Sequence, residues 1–325
     1  MTDDTTTPLI GYHASHEQFP PAELLRLVWH AEQAGFRGGM CSDHFHPFTP
    51  EQGQSGFAWA WLGAALQATG WTFGTVSAPG QRYHPAVLAQ AAATLAQMFP
   101  DRFWWALGSG QQLNEHITGQ QWPVKADRQA RLLECVDVMR ALWRGETVTH
   151  RGLVTVEDAC LYSRPERPPL LVGAALSEET ARWVGGWADA LITVSASPEQ
   201  LQRIIRAFHE GGGEGKPLFL QVHLAYAPTD GAARQAAHEQ WRGNVFGNVV
   251  QAEVRTPQEF QTLGAKVAPG EMDAAVRISS DLDQHLAWLE ADLALGFSRL
   301  YLHESGREQA RFIDAFGEHV LPRLA

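Results

Sequence analysis

Cysteine is scarce: Cys41, Cys135 and Cys160 are the only three in 325 residues, and no two form a C-x-x-C pair. A disulfide framework is excluded, and each thiol reads as a small buried hydrophobe. Basic charge is also short, with 25 Lys and Arg against 36 Asp and Glu and a net charge of −11. A nucleic-acid binder needs a basic stripe to displace counterions from phosphate, so nucleic acid is not expected as a partner. No apolar run approaches the roughly 20 residues that span a bilayer. Stretches such as Ala86–Met98 carry polar residues, and no membrane partner is expected. Met1–Pro8 is polar and acidic, without the basic start and apolar stretch of a secretory leader, so the expected location is the cytoplasm. Linkers, composition breaks and repeats at a period of roughly 20–50 residues are all lacking. Residues 1–325 are therefore expected to form one domain.

What the chain does have is a globular balance, 45% apolar and 19% charged, with 12 tryptophans as aromatic core mass. Short apolar runs alternate with longer amphipathic stretches. Strands are predicted at Leu9–Ala14, Phe36–Asp43, Phe73–Ala78, Arg102–Leu107, Leu170–Ala174, Ala190–Val194, Pro217–Ala225 and Phe297–His303. Helices follow at Pro20–Gln33, Phe57–Thr69, Pro85–Met98, Ala126–Arg144, Ser177–Trp187 and Pro198–His209, then between about Gly231 and Leu295, and at Arg307–Leu324. Strands apolar on both faces imply a parallel sheet covered by helices. Eight such units close most simply into an α/β fold of the (β/α)8 TIM barrel type. The doubly wound open sheet is the rival, but no G-x-G-x-x-G follows the first strand. Two insertions break the pattern: Thr147–Ser163 after the fourth helix, read as a hairpin, and the mixed segment Gln240–Asp273 between the seventh and eighth strands.

A barrel carries its active site at the carboxyl ends of its strands, and polar residues gather there. The second strand ends in Ser42-Asp43-His44-Phe45-His46 and the fourth in Gly108-Ser109-Gly110-Gln111-Gln112-Leu113-Asn114-Glu115. The fifth runs into Ala175-Leu176-Ser177 at a helix start, the sixth ends in Thr193-Val194-Ser195, and the eighth in His303-Glu304. His44 and His46 sit two apart and could share a metal, but Ala175 and Ser195 stand where further ligands belong, so no metal is assigned. The Ser177 turn offers backbone N–H groups to an anion, or simply a serine N-cap.

Together these strand ends resemble the luciferase-like flavin and deazaflavin oxidoreductases, and among them the group of glucose-6-phosphate dehydrogenases that use the deazaflavin coenzyme F-420. The matching stretches are Gly11-Tyr12-His13-Ala14-Ser15-His16-Glu17-Gln18-Phe19, Ser42-Asp43-His44-Phe45, Arg82-Tyr83-His84-Pro85-Ala86-Val87, Gly108-Ser109-Gly110 with Leu113-Asn114-Glu115, and Leu321-Pro322-Arg323-Leu324. They run the length of the chain in the family's order.

The resemblance implies a ring cofactor across the carboxyl end of the barrel and a homodimer. It implies His44 as the base that takes a hydroxyl proton, with Asp43 beside it. It implies cofactor contacts from Asp43, Thr75, Val76, Ala78, Gly108, Gln111, Asn114, Ala175, Leu176, Ser177 and Thr193, with a non-prolyl cis peptide at Thr75–Val76. Phe48 and His303 fall in the substrate pocket. Several positions depart from the dehydrogenases: Gln111 stands for a glutamate, Phe48 for a tryptophan, Ser197 for a phosphate-holding lysine, and Ala175-Leu176 for paired glycines. These departures count against glucose 6-phosphate as the substrate. Gln111 can donate a hydrogen bond but no proton, which suits ordinary FMN. The expectation is an FMN-dependent oxidoreductase acting on a small organic substrate. The alternatives are a deazaflavin (F420)-dependent alcohol or sugar dehydrogenase and, from another class, a flavin-binding protein without turnover.

Overall fold

The computed structural model describes residues 8–324, so the reading of the extreme N-terminus as lacking a leader lies, Pro8 apart, outside the described residues. Eight parallel strands close on themselves: Leu9–Ala14, Gly38–Ser42, Thr72–Ser77, Phe103–Leu107, Leu170–Ala174, Ala190–Val194, Leu218–Ala225 and Arg299–Glu304, numbered first to eighth in that order. Each pairs with the next, and the eighth returns beside the first with Leu9 opposite Arg299. This is the expected (β/α)8 barrel.

Local chemistry sets the covering helices. Pro21 and Pro85 occupy the first turn of Pro21–Gln33 and Pro85–Met98, where the missing N–H costs nothing. Ser177 and Ser197 cap Glu178–Gly185 and Pro198–Phe208 by accepting from Thr180 N and Gln200 N. Apolar faces of these helices and the outward faces of the strands form one continuous cluster around the barrel.

Inside the barrel, Trp104, Phe219 and Tyr301 fill the axis, with Trp104 5.1 Å from Tyr301 and 5.3 Å from Phe219 between ring centroids. Such bulk demands bare backbone opposite. A Cβ on Gly74 would lie 2.0 Å from the Trp104 ring, and one on Gly11 2.6 Å from Tyr301. The interior is packed solid below its carboxyl end, so chemistry is confined to the top.

The insertion after the fourth helix, Lys125–Arg144, is an antiparallel hairpin of Val148–Arg151 and Thr155–Ala159. The one between the last two strands resolves into Asp230–Trp241, short helices at Asn248–Glu253 and Pro257–Gly264, and a two-residue strand, Arg277–Ile278, on the seventh strand. Most ends shift by a residue or two from expectation, and two elements differ in kind. Arg307–Leu324 is two helices, Gln309–His319 and Leu321–Leu324, because the ring of Pro322 cannot follow an unbroken helical turn. Gln112–Glu115 is a short helix with a 3₁₀ turn after it, where only a strand end was read.

Candidate active site

The carboxyl end of the second strand delivers Asp43 and His44 into two different settings. Asp43 is buried and saturated: Ser77 Oγ donates to its Oδ2 at 2.7 Å and Tyr83 Oη to its Oδ1 at 2.8 Å. Arg82 Nη2 lies 3.6 Å from Oδ2 and donates to the Asp43 main-chain oxygen at 2.8 Å. With two donors on its carboxylate and a guanidinium beside it, Asp43 is an anchor for the strand end. Burial, and then the Asp43 carboxylate, push the Tyr83 phenol well above its ordinary value, so Tyr83 stays a donor.

His44 turns the other way. Its Nδ1 lies 2.6 Å from Oε1 of Glu17, off the line of a straight hydrogen bond, which places a carboxylate where it meets any charge that develops on the ring. Glu17 follows the first strand and is buried; Ser42 Oγ and Ser15 Oγ donate to its Oε2 at 2.7 and 2.9 Å. Burial pushes the Glu17 carboxyl up, but the His44 charge and the donated hydrogen bonds outweigh it and hold it well below the usual carboxylate range. A carboxylate fixed at Nδ1 leaves Nε2 as the nitrogen open to a substrate. This is the arrangement of a proton acceptor whose positive form is stabilised from behind.

Arg82 ties the two halves of the site together. Its main-chain N donates to Glu115 Oε2 at 2.8 Å, and its Nε lies 3.5 Å from Oε1. Burial pushes the Glu115 carboxyl up, with Arg82 opposing. Asn114, on the same short helix, accepts at Oδ1 from Phe45 N at 2.9 Å and His46 N at 3.3 Å, so it shapes the loop that carries His44. Gln111 is half-buried, with Asn114 Nδ2 3.4 Å from its Oε1. His46 donates from Nδ1 to the Leu113 carbonyl at 2.9 Å and stacks on His116, so it and His44 do not converge.

Beside this constellation the ends of the third to fifth strands are bare. Ala78, Gly108 and Ala174 are half-buried, Ala175 is buried and Leu176 is exposed. A side chain at Gly108 would find only the Ala174 Cβ, 4.0 Å away. A flat ring can lie on such a surface, and the Ser177 helix start stands next to it. Thr193 is buried on the sixth strand with no partner for Oγ1. Thr75 donates to the Cys41 carbonyl at 3.1 Å, and Val76 packs against the barrel interior. The expected cis peptide at Thr75–Val76 is corrected: among the described residues every peptide bond is trans. The reason is the ladder. Thr75, Val76 and Ser77 pair in unbroken register with Trp105, Ala106 and Leu107, and a cis bond would interrupt it.

A chain of rings closes the far side. Phe48 stands edge-on to His44 at 5.0 Å and to Trp241 at 5.4 Å; Trp241 stands edge-on to His303 at 4.6 Å; and His303 stacks on His13 at 4.5 Å. Phe48 and His303, both expected in the pocket, are thus joined through Trp241.

Sequence reading passed over Glu17, His13, His223, Trp241 and the Arg82–Glu115 pair as functional residues. His223 carried a signal of its own. Gln221 and His223 sit two apart inside the apolar strand Leu218–Ala225, which puts both on one face. Glu17 is distant from His44 in sequence, and the pairing of the first strand with the second brings them together.

Comparison with known proteins adds a second line. The profile of the luciferase-like monooxygenase family matches residues 5–299. The F420-dependent glucose-6-phosphate dehydrogenase of Beutenbergia cavernae is 35% identical over 97% of both chains. That of Microbacterium testaceum is 34% identical over 98% of both. Among solved structures, an F420-dependent secondary alcohol dehydrogenase in complex with an F420-acetone adduct superposes with a TM-score of 0.91 at 32% identity, covering 98% of this chain and 100% of that one.

Proposed function

Because the chain belongs to the luciferase-like monooxygenase family, with a carboxylate-backed histidine beside a bare cofactor surface, we propose that it is an F420-dependent dehydrogenase oxidising a hydroxyl group on a small molecule. The FMN expectation is corrected by the relatives, which are named for F420 and match over nearly the whole chain. Gln111 misled because it does not discriminate. It is half-exposed, so water reaches it, and an amide can hydrogen-bond either ring system.

The observation that carries the reading is the His44–Glu17 contact at 2.6 Å. Bound F420 supplies a two-electron hydride acceptor. The remaining work falls to this chain. Ala78, Gly108, Gln111 and the Ala175–Ser177 turn hold the ring and its phosphate, while Phe48 bounds the substrate. His44 Nε2 takes the hydroxyl proton as the carbinol C–H bond gives up its hydride and a C=O bond forms. The proton then rests on His44, where the Glu17 carboxylate stabilises it. Asp43 holds the strand end that aims His44.

The experiment is a titration of the purified protein with F420, followed by fluorescence quenching, and then turnover of wild type and His44→Ala with alcohols and sugars. F420 binds both proteins, and His44→Ala loses about 10²–10⁴ in turnover. Binding of FMN but not F420, or full activity in His44→Ala, refutes the assignment.

A further inference from the structure

The floor of the ring-lined cup is made of three histidines from neighbouring strands: His13 on the first, His223 on the seventh and His303 on the eighth. His303 is opposite His223 in register and two residues beyond Tyr301, whose ring lies inside the barrel, so the cluster faces inward. The rings touch one another: His13 stacks on His303 at 4.5 Å, and His223 stands edge-on to His303 at 5.4 Å. His13 and His303 are 3% and 1% exposed, and Nδ1 of each has no partner. A buried polar atom without a partner forfeits the hydrogen bond it made to water, so two side by side at one strand-end level mark a place where a ligand completes them.

Charge decides which ligand. Burial pushes His13 down to about 3 and His223 down to about 4, and it holds His303 well below its ordinary range, so the rings are neutral. His223 keeps some surface exposed, yet its ring is enclosed enough to stay uncharged. A neutral imidazole offers one donor and one acceptor, the complement of a hydroxyl or carbonyl. A phosphate dianion needs donors backed by positive charge. Arg277, the cation whose charge reaches His223, is taken bidentately by Asp292 at 2.5 and 2.9 Å. Glu17 adds negative charge beside the floor, its field reaching both His13 and His303. Phe48 and Trp241 supply an apolar wall that flanks both His44 and the floor.

We propose, on the premise of the dehydrogenase reading above, that this histidine floor is a subsite for a second, uncharged oxygen of the substrate. The substrate class is then a small diol or hydroxy-carbonyl compound in which one hydroxyl reaches His44 and its neighbour reaches His303 and His13. A phosphate ester is excluded from the floor.

The test uses the enzyme with F420 and three probes: 2-butanol, 2,3-butanediol and glucose 6-phosphate. In wild type, KM for the diol is about tenfold below that for the mono-alcohol, the worth of one well-made neutral hydrogen bond, and the phosphate of glucose 6-phosphate brings no further drop. His303→Leu brings the two KM values together. His303→Asn, which keeps a donor and an acceptor, restores part of the gap, a pattern that a purely structural histidine does not give. Equal KM values in wild type, or a KM for glucose 6-phosphate well below that for the diol, overturn the proposal whether or not either variant folds. Failure of F420 to bind, read separately by fluorescence quenching, sinks the dehydrogenase reading and the subsite with it.

Discussion

Replacing Glu17 by Gln removes one charge and almost no volume, and it isolates what the carboxylate does for His44. The amide oxygen can still accept from Ser15 and Ser42, which now hold Glu17 Oε2 at 2.9 and 2.7 Å, so the loop keeps its fastening. What disappears is the negative charge 2.6 Å from His44 Nδ1. Coulomb's law at an effective dielectric of about 20 gives roughly 6 kcal/mol at that separation, which is an upper bound. Hydrogen bonds to charged groups are worth about 1.5–3 kcal/mol net, and the off-line geometry places this contact nearer the charge term than an ideal bond. At about 1.4 kcal/mol per decade the loss is roughly ten- to a hundredfold. It falls on kcat, because the ring becomes positive only as it takes the substrate proton, and an interaction made in the transition state alone lowers kcat and kcat/KM together. F420 affinity stays within about twofold, since the proposed ring surface lies at other strand ends. The assay is steady-state F420 reduction with any alcohol that wild type oxidises, paired with F420 titration and circular dichroism. A folded Glu17→Gln protein with kcat within about twofold of wild type refutes the role of the carboxylate.

Arg82→Met leaves Asp43 and Glu115 buried without their shared cation, and loss of one member of a buried ion pair costs about 3–5 kcal/mol; urea unfolding measures it, and a loss below about 1 kcal/mol speaks against the clamp. Gly74→Ala sets a Cβ 2.0 Å from the Trp104 ring, an overpacking of about 1–3 kcal/mol that calorimetry reports as a lowered Tm. Glu304 gives the stability a slope in pH. Burial pushes its carboxyl up to about 8, against the N–H groups of Gly306 and Tyr226. Between roughly pH 4.5 and 8 the folded state holds a proton there that the unfolded chain has released. Stability therefore falls as pH rises through that window, by at most about 1.4 kcal/mol per pH unit from this group. Thermal melts of wild type and Glu304→Gln across the window check the sign: the variant shows the shallower slope, and identical slopes contradict the assignment.

The alternation of apolar strands with amphipathic helices determined the barrel, because each period is a local property of the chain and proline and glycine punctuate it at helix starts and turns. The same local reading singles out Asp43, His44, Gly108, Gln111 and Ser177 as candidates, since a barrel places strand ends in one ring whatever loops follow. It stopped at what those residues touch. Asp43 and His44 are adjacent in sequence, yet one is saturated by Ser77, Tyr83 and Arg82, and the other faces Glu17 across the first strand. That division depends on which way two consecutive side chains turn at a strand end. The cofactor expectation went astray at Gln111 for a similar reason. The chemistry of an amide is legible in sequence, but its access to solvent is decided by the fold. The histidine floor is the clearest case. His13, His223 and His303 are far apart in the chain and unremarkable singly. Closing the eighth strand between the first and the seventh brings the three rings into contact, buries His13 and His303 and leaves Nδ1 of each without a partner. Only long-range pairing brings them together, and burial alone makes them neutral.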